Sequence, residues 1–95
     1  MLRPEFAPRA LADLRGIRRY SVDNWGLERA ERYLADIDET IQRLCEGRVR
    51  GRPVAGRRYR YYRSESHYVF FRVVGARLTI LRVLHSSMDF QRHLR

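Results

Sequence analysis

Apolar positions follow two different periods along the chain, and the change from one to the other lies near Gly47. Leu27, Ala30, Leu34, Ile37, Ile41 and Leu44 recur at steps of 3 and 4, which puts them on one stripe of a helix. Glu28, Arg32, Asp36, Glu39 and Arg43 occupy the opposite side and are expected to face water. Gly47 suits the stop. A dimeric coiled coil is the alternative for so regular a seam, but it is short, and burial against a sheet is the expectation. Upstream, Pro8 suits a first helical turn, and Leu11, Leu14 and Ile17 follow at helical spacing with Ala10 and Tyr20 nearby. That helix is expected to end around Val22–Asp23. Asn24-Trp25-Gly26 then reads as a tight connection, with Asn24 capping the next helix. Helices joined so closely pack as an antiparallel hairpin, residues 8–46.

After Gly47 the period shortens. Arg48 to Gly56 carries the Gly and Pro of a loop. Three strand-like runs follow: Arg57–Arg63, His67–Val74 and Arg77–Leu84, separated by Ser64-Glu65-Ser66 and Gly75-Ala76 as hairpin turns. The expected fold is α+β, with the N-terminal helical hairpin packed on one face of a small antiparallel sheet at 57–85, and a tail at 86–95. In the first run Arg58, Arg60 and Tyr62 point one way and Tyr59, Tyr61 and Arg63 the other. The two sides compete for the core, so the register stays open. Strict alternation in the last run groups Leu78, Ile80, Arg82 and Leu84. Arg82 therefore needs a partner, because a full charge among apolar neighbours is costly alone.

Charge alters this picture. Of the net +9, residues 1–46 contribute −1 (8 Arg, 9 acids), and residues 47–95 contribute +10 (12 Arg against Glu65 and Asp89). The second half should attract a polyanion, either nucleic acid or an acidic protein segment. Every basic side chain other than His is Arg, so no lysine is present as base or phosphate anchor. At 95 residues the chain suits one domain. No apolar run approaches the length of a membrane span, and Met1 to Glu5 lead into no signal-peptide core. The lone Cys45 has no internal disulfide partner, which fits a reducing cytoplasm and a packing role.

The ending Arg82-Val-Leu-His85-x-x-Met88-Asp89-x-x-Arg92-His93-Leu94 resembles the C-terminus of ParE-type toxins, within the RelE/ParE superfamily. Its specified positions agree in order, which makes it the strongest signal. Pro8-Arg-Ala10-Leu-Ala-Asp13-Leu14 with Ile17 and Tyr20 is similar to the family's first helix. Trp25-Gly26, Ala30 and Tyr33-Leu34 resemble its second. Gly51-Arg52-Pro53 matches its loop, and Arg60, His67 and Phe70-Phe71-Arg72 its central strands. The likeness covers about Pro8 to Leu94. It implies the architecture derived above plus a first strand near the N-terminus, which residues 1–6 could supply. It also implies a ParD-type antitoxin with an acidic C-terminal segment as partner, DNA gyrase as target, and inhibition by binding without catalysis or cofactor.

Two other readings compete. A RelE-like mRNA endoribonuclease needs a base, an acid and cations for the phosphorane. His67, His85 and His93 are its candidates, with Arg60, Arg63, Arg72 and Arg82 as cations and Tyr61 or Tyr62 in support. His67 is expected to end a hairpin and bond backbone or water, His85 by the resemblance to be structural and lock the tail through Asp89, and His93 to lie in a disordered end. The third reading is an inert toxin retained as an antitoxin-binding module. A metal site is not expected, since one Cys and three scattered His lack ligand spacing. The Tyr and Arg of 57–63 could stack on single-stranded nucleic acid but lack the spacing of an RNA-recognition sheet, so direct nucleic-acid binding is not the expectation. Arg60, Arg63, Arg72, Arg82 and Arg92 are the expected antitoxin or target contacts. His85, Met88, Asp89, Arg92, His93 and Leu94 form the tail to which toxicity is assigned.

Overall fold

The computed structural model describes residues 1–94, without the side chains of Phe90 and Gln91; the last tail position, 95, lies outside the described residues. The elements run β1 (Arg3–Phe6), α1 (Pro8–Trp25), α2 (Leu27–Cys45), β2 (Arg52–Pro53), β3 (Arg60–Ser64), β4 (His67–Val74), β5 (Arg77–His85) and α3 (Phe90–His93). Strand order is β1-β5-β4-β3-β2. β3 to β5 form the expected antiparallel meander, β2 extends it from within the segment read as a loop, and the N-terminal strand adds in parallel, Phe6 opposite Ile80. The sheet is therefore mixed.

α1 is longer than its apolar spacing implied. It runs on to Trp25, and Asn24 lies inside it, with Nδ2 donating to the Tyr20 carbonyl at 2.7 Å. Gly26, at φ 89°, alone separates the helices, so the expected Asn24 cap does not form. A left-handed φ there suits only glycine and lets the chain reverse in one residue. The reversal brings Arg18 onto Glu31 as an exposed ion pair. Leu27, counted on the buried stripe of α2, is 57% exposed because the hairpin is already turning there.

The core lies between the helices and one sheet face: Ala10, Ile17, Ile37, Ile41 and Leu44 against Val69, Phe71, Leu78, Ile80 and Val83. Tyr62 packs against this cluster, which settles the β3 register: Tyr62 and Arg60 share the helix-side face, while Tyr61 and Arg63 take the other. Cys45 is buried in the core, and burial pushes its thiol pKa up, as a packing role requires. Thr40 and Ser64, both buried, place their hydroxyls 3.0 Å apart and tie α2 to β3.

One irregularity changes what the sequence implied for β5. Phe70 pairs with Arg82 but Phe71 pairs with Ile80, so the register slips by one residue at Leu81. Such a bulge inverts the alternation beyond it. Leu78, Ile80 and Val83 thus face the helices, and Arg82 and Leu84 take the opposite side with Phe70. Strict alternation had grouped Arg82 with Leu78 and Ile80. Phe70 and Leu84 are buried outside the helix-side cluster, on the face that the tail crosses.

Candidate functional site

The sequence left Arg82 in need of a partner, and the fold supplies Asp13. β1 ends at Phe6, so β5 has no neighbour on that edge beyond Ile80, where the backbone of Ala7 donates the last bond. α1 crosses the gap. Its Asp13 shares the inward side of the helix with Ala10 and Ile17, three and four residues away on either side. Oδ2 of Asp13 accepts from the Val83 amide at 2.9 Å, closing the open edge. The same carboxylate takes Arg82 in a fork, Nε to Oδ2 at 2.7 Å and Nη2 to Oδ1 at 2.9 Å. Asp13 raises the Arg82 pKa, chiefly by hydrogen bonding and against the opposing effect of burial. The remaining guanidinium nitrogen, Nη1, donates to the His93 carbonyl at 3.0 Å. Tyr59 Oη donates to the carbonyl of Leu94 at 3.3 Å. Two backbone oxygens therefore fasten the tail to the sheet.

Beside this pair lies a cleft of about 660 Å³ between α1, the end of β5 and the tail. His67, His85, Met88 and His93 line it, with Tyr20, Trp25 and Tyr33 from the hairpin. His67 and His85 are cross-strand neighbours whose rings stand 5.2 Å apart, edge to face. Tyr33 Oη is 2.5 Å from His67 Nδ1 and accepts from the Ser66 amide at 3.1 Å. Burial raises the Tyr33 pKa, so the phenol keeps its proton. Burial first, and the His85 charge second, lower the His67 pKa to about 4. This histidine is neutral at physiological pH. Exposed His85 accepts the Ser87 amide at Nδ1, 3.1 Å, with the Ser87 hydroxyl 2.7 Å from the same nitrogen.

The other sequence candidates lie elsewhere. Arg60 donates from Nε to the Gly51 carbonyl at 3.0 Å and holds the loop before β2. Arg63 donates to the Glu65 carbonyl at 2.8 Å and lies over the Tyr68 ring. Tyr61, Tyr62 and Arg63 line a separate hollow of about 370 Å³ at the β2–β3 edge with Arg50, Arg52 and Tyr68. Arg72 is exposed toward the far end of β4, and Arg92 is exposed on α3, its amide donating to the Asp89 carbonyl at 3.2 Å. The structure thus gathers Arg82, His67, His85, Met88 and His93 into one cleft and leaves Arg60, Arg63, Arg72 and Arg92 outside it.

Sequence reasoning missed Asp13, Tyr33 and Tyr59 as partners of these residues. Asp13 had left a signal: it falls on the inner stripe of α1, where a carboxylate needs a counter-charge. Tyr33 and Tyr59 had none, since their contacts join positions 34 and 35 residues apart.

Comparison with known proteins agrees with this fold. Residues 5–90 match the family described as ParE toxin of type II toxin-antitoxin system, parDE. Toxin ParE1 of Caulobacter vibrioides is 44% identical over 88 residues, covering 90% of this chain and 91% of the relative. The solved chromosomal ParDE toxin-antitoxin system from P. aeruginosa contains a chain of the same fold, with a TM-score of 0.78 and 29% identity over 90% of this chain and 96% of that one. The YoeB-YefM complex from Staphylococcus aureus matches at a TM-score of 0.59 and 15% identity, covering 90% and 97% of the respective chains, a likeness of fold alone.

Proposed function

The chain belongs to the ParE toxin family of type II toxin–antitoxin systems, and from that premise we propose that it inhibits DNA gyrase by binding, without catalysis, and is neutralised by a ParD-type antitoxin. One observation carries the choice of binding over catalysis. Arg82, the arginine beside His67 and His85 in the cleft, is already neutralised by Asp13 and spends its third donor on the tail. A ribonuclease at that place would need a free cation for the phosphorane, and Arg60, Arg63, Arg72 and Arg92 lie outside the cleft. His67 is neutral and committed to Tyr33.

The exposed guanidinium groups of Arg60, Arg63, Arg72 and Arg92 suit an acidic antitoxin segment. Charge-assisted bonds there give fast association, which neutralising a toxin demands. Arg82 acts on the target through the tail it holds. Met88, Asp89, Arg92, His93 and Leu94 form the segment presented to gyrase, and action on gyrase places the protein in the cytoplasm. Added to a gyrase supercoiling reaction, the purified chain is expected to inhibit, and the antitoxin to relieve the inhibition. Folded protein that inhibits at no ratio overturns the proposal.

A second reading, a RelE-like endoribonuclease, draws support from the closeness of His67 and His85 beside Tyr33. Codon-positioned mRNA cuts in expressing cells, lost in His85→Ala, would decide for it.

A further inference from the structure

The hollow at the β2–β3 edge has a composition that the tail and the cleft lack. Its six lining residues are Arg50, Arg52, Arg63, Tyr61, Tyr62 and Tyr68, with no carboxylate among them. From the sequence, the Arg57–Arg63 run could stack on bases but lacked the spacing of an RNA-recognition sheet. The fold completes the set from two other places. Arg50 and Arg52 come from the loop before and within β2, and Tyr68 comes from β4, opposite Arg63.

The placement is built into the backbone. Gly51 packs directly on Phe71, where a Cβ would lie 2.4 Å from the ring, and its carbonyl is held by Arg60. That contact sets Arg50 and Arg52 on either side of a fixed point. Arg52 pairs with Tyr61 in the register, so both present to the face away from the helices. Tyr61 and Tyr68 stand edge to face at 5.3 Å, and Tyr61 leans on Phe70 at 5.9 Å. The sheet thus presents an aromatic surface stiffened from below. Among the described residues, neither the Arg50 nor the Arg52 side chain makes a hydrogen bond or ion pair within the chain.

We propose that this hollow is a binding site for single-stranded nucleic acid, with Tyr61 and Tyr68 as stacking surfaces and Arg50, Arg52 and Arg63 as phosphate contacts. Charge complementarity identifies the occupant as polyanionic. The rings distinguish a nucleic acid from an acidic peptide, because unpaired bases offer π-faces to rigid tyrosines and carboxylates do not. A duplex hides those faces in its stack. The site shares Arg63 with the proposed antitoxin surface and stands apart from the gyrase reading, which rests on the tail and the family.

The test is fluorescence anisotropy of the purified chain with labelled 12-nucleotide single strands of DNA and of RNA, a blunt DNA duplex of the same sequence, and a polyglutamate peptide of equal charge. The expected result is that at least one of the single strands binds more tightly than the duplex and the peptide. About three phosphate contacts should give a slope of log K against log salt of about −2. Arg50→Ser with Arg52→Ser should flatten that slope. Tyr68→Leu should weaken binding roughly tenfold and leave the slope in place. Arg9→Ser with Arg19→Ser, which removes the same charge from exposed positions of α1, should bind as the parent does. The arginine variants alter exposed side chains, so they test the site even if Tyr68→Leu folds poorly. Binding of the duplex or polyglutamate as tight as that of the tighter-binding single strand overturns the proposal. So does equal loss in the Arg50/Arg52 and Arg9/Arg19 variants, or no binding of single strands at low salt.

Discussion

Removing either partner of the Asp13–Arg82 pair should destabilise the protein far more than an ordinary surface substitution. The side chains of Arg82 and Asp13 are 16% and 13% exposed, and they share two bonds of 2.7 and 2.9 Å. Breaking a fully buried pair costs about 3–5 kcal/mol, because the survivor is left as an uncompensated charge. The residual exposure admits some water, which brings the expectation to about 2–4 kcal/mol for Asp13→Ala or Arg82→Met. The two substitutions leave different damage. Asp13→Ala strands the Val83 amide as well as the guanidinium, whereas Arg82→Met releases the His93 carbonyl and leaves Asp13 its bond to Val83. Asp13→Asn keeps an acceptor for Val83 and should cost less, about 1–2 kcal/mol. Native stability in a small domain is about 5–15 kcal/mol, so each alanine or methionine variant removes a sizeable share. Thermal unfolding should show a fall in Tm of about 10–25 °C. The double variant should be more stable than the sum of its parts predicts, with a coupling of about 1.5–3 kcal/mol. Singles that each cost under ~0.5 kcal/mol, or a double that is additive, would refute a buried pair closing the β5 edge.

Two further outcomes follow from the geometry. His67 stays neutral in the fold down to about pH 4, but takes a proton near 6.5 when the chain unfolds. The unfolded chain binds more protons in between, so His67's contribution is full above pH 6.5 and is lost as the pH falls toward 4, by about 1–3 kcal/mol. Urea unfolding across that range should show the slope, and His67→Gln should flatten it; an unchanged slope in the variant contradicts a buried neutral ring. Gly51→Ala would set a Cβ 2.4 and 2.7 Å from the Phe71 ring and 3.1 Å from the Tyr61 carbonyl oxygen. Either the loop or the ring must move, at a cost of about 1–3 kcal/mol, read as a lower urea midpoint; an unshifted midpoint means the loop is free to lift.

Local periodicity determined the helical hairpin and the strands from His67 to His85, because amphipathic spacing is a property of each segment alone. The concentration of charge in the second half was equally plain, and the family resemblance added the N-terminal strand and the C-terminal tail. The faces of β5 were decided by tertiary structure. A one-residue slip opposite Phe70 and Phe71 leaves no mark in an alternating run, yet it moves Arg82 across the sheet. The partner of Arg82 was decided the same way. Asp13 lies 69 residues upstream and meets Arg82 only because β1 stops short and α1 passes over the edge it leaves open. The edge hollow needed the fold too, since its arginines and tyrosines come from a loop and three strands. A single segment encodes its own period and charge. It does not encode which distant segment will complete its hydrogen bonds, because that depends on the packing of the whole chain.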